Sequence, residues 1–397
     1  MPIPSSFVES VKRGVRFVLR DAIFYVVLPA TYRFGTLQPV DQKRALFVEE
    51  TNTEPSDNIA LVMRELEGRG FDCQIVSLGH YRLSTFSYYV QCAKMLREAA
   101  TARFVFLSIA SVPLSCVSLR KETSAVQLWH ACGAFKKFGM STADKLYGDS
   151  RAEKKRHPYF ENLSLVTVSS PEVRWAYIEA MDLEDTPEVV QATGVSRTDV
   201  YFDETYLVRQ RHLVCDVVPS ALGKKVLLYA PTFRGSVADA KGPDALDIRL
   251  LKKRLCDEYV LLIKHHPHVK NRPLVPQDCE DFAFDVSDTL SIEAVLAAAD
   301  VCVSDYSSLI FEYSLLRKPM AFFAFDRADY DDWRGFYYDY DEMTPGPVVT
   351  TTEELVDWIE HLDERFDPEE IEAFRKKFMG ACDGHATARI VDTILGE

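Results

Sequence analysis

The stretch that most constrains this chain is VCVSDYSSLIFEYSLLRKPMAFFAFD, residues 301–326. Residues 301–303 are apolar and carry two valines, which reads as the end of a buried strand. Residues 304–308 form a short polar turn. Residues 309–316 repeat apolar side chains at threes and fours, which predicts a helix. Arg317 and Lys318 set positive charge against the negative end of that helix dipole, and Pro319 cannot continue it. Residues 320–325 read as a second buried strand. A strand–turn–helix–strand unit belongs to a parallel sheet, and its hydroxyl-rich turn lies at the carboxyl end of a strand, where open α/β sheets bind ligands. Ser307 and Ser308 sit where free backbone N–H groups meet the positive helix end, a seat for phosphate; the plainer alternative is an N-cap.

The same alternation runs through most of the chain. Strands are predicted at 45–48, 73–78, 104–108, 125–129, 164–169 and 188–192, with helices at 58–68, 89–102 and from Pro171 onward. A helical link at 203–214 leads to strands at 225–230 and 260–264 and helices at 247–258 and 292–299. Acidic helices at 352–362 and 368–379 close the chain. Strands alternating with helices give an α/β fold of two doubly wound, Rossmann-type domains, 44–207 and 208–397, facing across a cleft. The length of 397 residues accommodates both.

Charge divides the chain unevenly. The net formal charge is −14, which argues against non-specific nucleic-acid binding. Residues 1–44 nevertheless carry seven cations against three acids. Residues 7–28 read as an amphipathic helix, with Val8, Val11, Val15, Val18, Ala22 and Val26 on one side and Lys12, Arg13, Arg16 and Arg20 flanking it. Its apolar run is too short to span a bilayer, so residues 1–43 are expected to be an arm lying on an anionic membrane surface; docking on the chain's own domain is the alternative. The nine cysteines are dispersed and form no CxxC pair, which points to a reducing compartment and no zinc framework.

Polar residues gather at the predicted strand ends. His130, in WHACGAFKKFG, follows a strand and precedes small residues, a position suited to a general base. Thr232 and Arg234, in YAPTFRG, are placed to hold an anion. Lys264 and His266, in IKHHPHV, alternate along a strand end and are expected to share a face toward pyrophosphate oxygens. Pro267 rules out a helical metal pair there, though a metal cluster of His265, His266 and His268 is the alternative. Arg334 adds a further cation. The chain has no Walker loop, no GxGxxG and no GxSxG, so P-loop, dinucleotide and α/β-hydrolase chemistry lack a basis.

Taken together, SDNIALVMRELEGRGF, WHACGAFKKFG, GVSRTDVYF, YAPTFRG, KHHPHV, SDYSSLIFEYSLLRKP, RGFYYDYDEMTPGPVV and CDGHATARI resemble, in order and spacing, the CDP-glycerol glycerophosphotransferase family of teichoic-acid primases and polymerases. The resemblance runs from about residue 48 to 394. It implies a GT-B-like fold and transfer of a polyol phosphate, glycerol phosphate foremost, from a CDP-activated donor to an undecaprenyl-type lipid-linked acceptor. It places this at the cytoplasmic face of the bacterial membrane, with CMP released and neither cofactor nor metal. It assigns His130 and His266 as catalytic. It makes Lys264, Arg234, Thr232, Asp305, Ser307, Ser308, Arg334, Asp383 and Arg389 donor-binding positions. The chain has His130-Ala131-Cys132 where the family commonly has His-Gly-Thr, and Gly194-Val195-Ser196-Arg197 where it has Gly-x-Pro-Arg, departures that bear on acceptor binding and donor choice. Nucleotide-sugar glycosyltransferases and epimerases are the enzymatic alternative, and a non-catalytic membrane scaffold is the alternative from another class.

Overall fold

The computed structural model describes residues 18–80, 82–146, 148–235, 239–327, 330 and 335–397. Two six-stranded sheets, parallel throughout, organise it. The first holds β1 (Asp41–Glu49), β2 (Asp72–Ser77), β3 (Ala102–Leu107), β4 (Ser124–Gln127), β5 (Leu163–Thr167) and β6 (Val190–Gln191), in the order β2-β1-β3-β4-β5-β6. The second holds β7 (Lys225–Tyr229), β8 (Tyr259–Ile263), β9 (Ala283–Asp285), β10 (Val301–Ser304), β11 (Met320–Phe323) and β12 (Val348–Val349), in the order β12-β11-β10-β7-β8-β9. Chain direction across each sheet reverses once, between β1 and β3 in the first and between β7 and β10 in the second. Those are the crevices where such sheets take ligands. The arrangement is the GT-B-like pair of Rossmann-type lobes.

The central strands are apolar on both faces because helices cover both, which is why residues 259–263 and 320–323 are buried without alternation. One apolar cluster covers the outer face of the second sheet around Leu227, Leu261 and Phe323. Another covers the outer face of the first around Phe47, Phe106 and Leu165. The largest is shared by both lobes, running from Leu46 and Val105 through Phe135 and Phe311 to Phe378.

Differences from the sequence expectation have local causes. The expected strand at 188–192 shrinks to two residues because Pro187 opens a 3-10 turn in front of it. β9 and β12, three and two residues long, are too short to carry a periodic signal. The helix Ala386–Leu395 does not stay with the second lobe, as a boundary at 207/208 would have it. Its Ile390 and Val391 complete the outer cluster of the first sheet, and Asp199 caps it by accepting from Ala386 N at 2.9 Å and Thr387 N at 2.8 Å.

Half of the amphipathic helix expected at 7–28, residues 7–17, lies outside the described residues. Its described part, from Val18, continues through a π-helical turn at Ile23–Val27 into an α-helix at Leu28–Gly35. Phe24, Leu28 and Tyr32, one helical turn apart, face the shared core, and Arg156 and His157 pair with Asp21. Val18, Leu19, Val26 and Val27 remain exposed on the other side. No helix among the described residues is long and apolar enough to cross a membrane.

Candidate active site

His130 lies just past β4. The backbone turn that presents it is unusual: Trp129 is a non-glycine residue at φ 58°, a conformation that persists only where neighbours fix it. Three neighbours do so. Thr167 Oγ1 donates to Leu128 O at 3.1 Å, Gln127 Oε1 accepts from Trp129 N at 3.1 Å, and the Asn58 amide donates to Trp129 O. The indole packs against the imidazole at 4.3 Å between ring centroids. Solvent reaches the His130 ring, yet the surrounding walls desolvate it. That desolvation, aided by the positive charge of Arg197, lowers its pKa to about 4. His130 is therefore neutral at pH 7, with a lone pair available for a proton.

The loop after His130 is the seam between the lobes. Gly133 has φ +62°, and a Cβ there would meet the Phe311 ring at 2.4 Å, so only glycine lets the first lobe close on the helix Leu309–Ser314. Phe135 packs edge-on against Phe311, Phe336 and Tyr340. Backbone bonds from Lys137 N to Gly335 O and from Tyr337 N to Phe135 O, both 3.1 Å, add a two-rung ladder. Cys132, standing where a threonine was the family expectation, is fully buried beside Arg197.

On the second lobe, the β7 and β10 loops meet at the switch point. Asp305 is buried, and its Oδ1 accepts from Thr232 N and Oγ1, both at 2.9 Å, and from Tyr306 N at 2.7 Å. Arg234 donates to Asp305 Oδ2 at 3.0 Å, to Asp326 at 2.5 and 2.9 Å, and to Thr232 O and Oγ1 at 2.7 and 3.0 Å. A guanidinium has five N–H donors, and these five bonds use them all. The sequence reading gave Thr232, Arg234 and Asp305 to the donor directly. In the structure they bond to one another and to Asp326, two carboxylates and a carbonyl meeting the guanidinium. Tyr306 and Tyr330, stacked at 3.9 Å, wall it in.

The other expected residues are placed as follows. Ser308 begins the helix Leu309–Ser314 but its hydroxyl makes no capping bond, and Ser307 Oγ accepts from Leu309 N at a long 3.4 Å. Both hydroxyls are half-buried at the carboxyl end of β10. His266 is exposed and packs on Phe233 at 5.1 Å and His268 at 4.6 Å. Lys264 and His266 take different partners: Lys264 Nζ donates to Ser287 O at 2.8 Å and to Leu290 O. Burial lowers the Lys264 pKa from its ordinary value. His265 turns inward and is buried, and among the described residues no three His, Cys, Asp or Glu side chains group as metal ligands. Arg334 lies outside the described residues. Asp383 and Arg389 pair at 2.9 Å, and Arg389 Nε also donates to Thr193 O at 2.8 Å. Both therefore hold the C-terminal segment against the first lobe.

Sequence reasoning gave no site role to four residues: Arg197, Glu312, Asn58 and Glu50. Arg197 Nε meets Glu312 Oε1 at 2.6 Å across the seam. Asn58 ties the Arg197 loop to the His130 turn, since its Oδ1 accepts from Arg197 N at 3.0 Å while its amide holds Trp129 O. The signal for Glu312 was present: one carboxylate inside the apolar run LIFEYSLL has to find a cation. Glu50, just past the end of β1 in the first crevice, is the fourth. It is 4% exposed, and burial raises its pKa to about 7.

With this geometry in hand, comparison with known proteins decides the family. The sequence profile of CDP-Glycerol:Poly(glycerophosphate) glycerophosphotransferase matches residues 30–396. The chain belongs to that family. It is 35% identical over 390 residues to the teichoic acid poly(ribitol-phosphate) polymerase of Bacillus spizizenii strain W23, covering 97% of this chain and 61% of that protein. It is also 35% identical over 387 residues to the teichoic acid ribitol-phosphate primase of the same strain, covering 96% of this chain and 94% of that one. The chain thus spans about three fifths of the polymerase and nearly all of the primase. In fold it resembles the wall teichoic acid polymerase TagF, at a TM-score of 0.74 and 21% identity over 100% of this chain and 98% of that one.

Proposed function

We propose that this member of the glycerophosphotransferase family transfers a polyol phosphate from a CDP-activated donor to a lipid-linked acceptor, releasing CMP. The carrying observation is His130: neutral at pH 7, on a turn fixed by Asn58, Gln127 and Thr167, at the carboxyl end of β4 and beside the interlobe seam. An acceptor hydroxyl attacks the polyol-bearing phosphorus and its proton goes to His130. A P–O bond forms to the acceptor, and the bond from that phosphorus to the bridging oxygen breaks, with CMP carrying the electron pair away. His266, Lys264 and the Ser307–Ser308 turn are the second lobe's contribution to the pyrophosphate. Phosphoryl transfer gains most from such fixed polar groups, because little covalent chemistry is left to the protein. Arg234, Thr232 and Asp305 support the site by holding the β7 and β10 loops in register.

The two relatives of 35% identity act on ribitol phosphate, which weighs toward CDP-ribitol over CDP-glycerol as the donor. Purified protein incubated with CDP-ribitol or CDP-glycerol and a soluble lipid-acceptor analogue, followed by mass measurement of the product, tests the donor. CMP release and a product heavier by one or more ribitol phosphate units is the expected result. Absence of CMP release with either donor would overturn the reading.

The helical arm completes the proposal. Its exposed Val18, Leu19, Val26 and Val27, beside the basic helix Arg151–Arg156, suit the surface of an anionic membrane where a lipid-linked acceptor is held. Deleting residues 1–38 should abolish co-sedimentation with phosphatidylglycerol vesicles, and unchanged sedimentation would count against a membrane role.

A further inference from the structure

Three segments far apart in the chain meet at one buried amide. Asn58 stands in the first turn of the helix Asp57–Gly68 and is 3% exposed. On one side of its side chain lies Trp129 O, the carbonyl just before His130, which can only accept. On the other lies Arg197 N, which can only donate and meets Asn58 Oδ1 at 3.0 Å. The two ends of the amide are therefore not interchangeable. An aspartate would set an oxygen against the carbonyl, and an apolar side chain would leave both backbone groups unmet.

A hydroxyl fixes the amide in that orientation. Ser196, 1% exposed, shares its one proton between Asn58 O at 3.0 Å and Asn58 Oδ1 at 3.2 Å. Ser196 opens the 3-10 turn Ser196–Phe202, and Arg197 anchors that turn across the seam, with Nε 2.6 Å from Glu312 Oε1. The amide and the hydroxyl are both buried, where a hydrogen bond is stronger and an unmet group costlier than in water.

What these bonds secure is the Trp129 turn. A tryptophan at φ 58° relaxes unless its surroundings over-determine it, and relaxation would swing the next side chain away. Thr167 and Gln127 hold the strand side of that turn, at Leu128 O and Trp129 N, while Asn58 holds the carbonyl on the His130 side. We propose that Asn58 and Ser196 are positioning residues for His130. Ser196 Oγ and Arg197 N orient the amide, the amide holds the Trp129 carbonyl, and the imidazole is thereby kept where an acceptor hydroxyl delivers its proton. This rests on the reading of His130 as the base.

The test reads geometry and turnover separately. The Trp129 indole, 4.3 Å from the imidazole between ring centroids, displaces the His130 ring-proton resonances by its ring current. NMR of the full chain with labelled histidine measures that displacement, the His130 signal being assigned by its loss in H130N. N58A should remove most of it. S196A, which keeps the amide but frees its orientation, should remove less, and it carries the test should N58A fail to fold. T198A deletes a buried bond of the same turn, Thr198 Oγ1 to Val195 O at 2.7 Å, without touching Asn58, and should leave the signal in place. In kinetics, N58A should lower kcat about tenfold or more and S196A about threefold, with donor KM little changed, because a misplaced base weakens the transition state and not donor binding. A His130 signal unmoved in both N58A and S196A, an equal displacement in T198A, or a loss carried by donor KM would overturn the proposal. A moved signal with wild-type kcat would sink the assignment of His130 as base and leave the positioning of its turn standing. That assignment is tested separately by the activity of H130A.

Discussion

The two switch-point crevices of this molecule are built alike and finished differently. In the second lobe, the β7 and β10 loops satisfy one another: Arg234 gives all five donors to Thr232, Asp305 and Asp326, and Asp305 is bonded on both oxygens. In the first lobe, the corresponding strand ends carry groups in perturbed states. Glu50 has its pKa pushed up to about 7, and His130 has its pKa pulled down to about 4. Both shifts come first from desolvation, which disfavours charge whichever its sign. The difference teaches a division of labour. One lobe is a cradle whose charges are neutralised internally, and the other desolvates its titratable groups, leaving His130 neutral and Glu50 near its titration midpoint at pH 7.

Four substitutions can break or sharpen that contrast. The largest effect belongs to the cradle. Asp305→Ala leaves Arg234 partly unpaired and should cost about 3–5 kcal/mol of stability, the range for removing one member of a buried ion pair, read as a lowered urea midpoint. A midpoint equal to wild type would mean the cradle is not held by its charges. Next, His130→Ala should lower kcat by about a hundredfold or more with donor KM little changed, as for loss of a general base. Turnover near wild type would take the proton-accepting role away from the first lobe.

Glu50→Gln probes the other perturbed group of the first lobe. Its folded pKa, about 7, lies above the ordinary 4.5, so between those values the native state binds more protons than the unfolded chain. Stability contributed by the protonated carboxyl is therefore full below about pH 4.5 and is lost as pH rises to 7. The glutamine variant should be near neutral around pH 5 and more stable than wild type by about 2–3 kcal/mol around pH 8. Urea denaturation at the two pH values checks the sign, and equal effects at both would mean Glu50 ionises normally. Smallest is Ser308→Ala, expected to weaken donor binding by about 1.5 kcal/mol, the low end for one hydrogen bond to a charged group, or roughly tenfold in Kd for a CDP-polyol. Isothermal titration reads it directly, and an unchanged Kd would confine Ser308 to starting its helix.

Much of this architecture was legible in the chain itself. The apolar runs at 225–230, 260–264 and 301–303 sit within one residue of the observed strands, because a strand buried on both faces has to be continuously apolar. The helix Pro368–Met379 has the bounds that its proline and periodicity predict. His130, Lys264, Asp305, Ser307 and Ser308 all lie just beyond strand ends, as their motifs implied. Partner choice was not legible. Whether Arg234 meets a phosphate or Asp326, 92 residues away, depends on how β11 is laid beside β10, and local spacing says nothing of that.

The sequence alone therefore determined the longer strands and helices and the strand-end positions of the polar motifs, since these follow from periodicity and backbone chemistry over a few residues. Tertiary structure alone decided which charges neutralise which, that Asp383 and Arg389 anchor the C-terminal helix to the first lobe, and that Arg197 meets Glu312 beside His130. Those outcomes depend on desolvation and on groups tens to hundreds of residues apart along the chain, and they exist only once the two lobes have closed on Gly133 and Phe311.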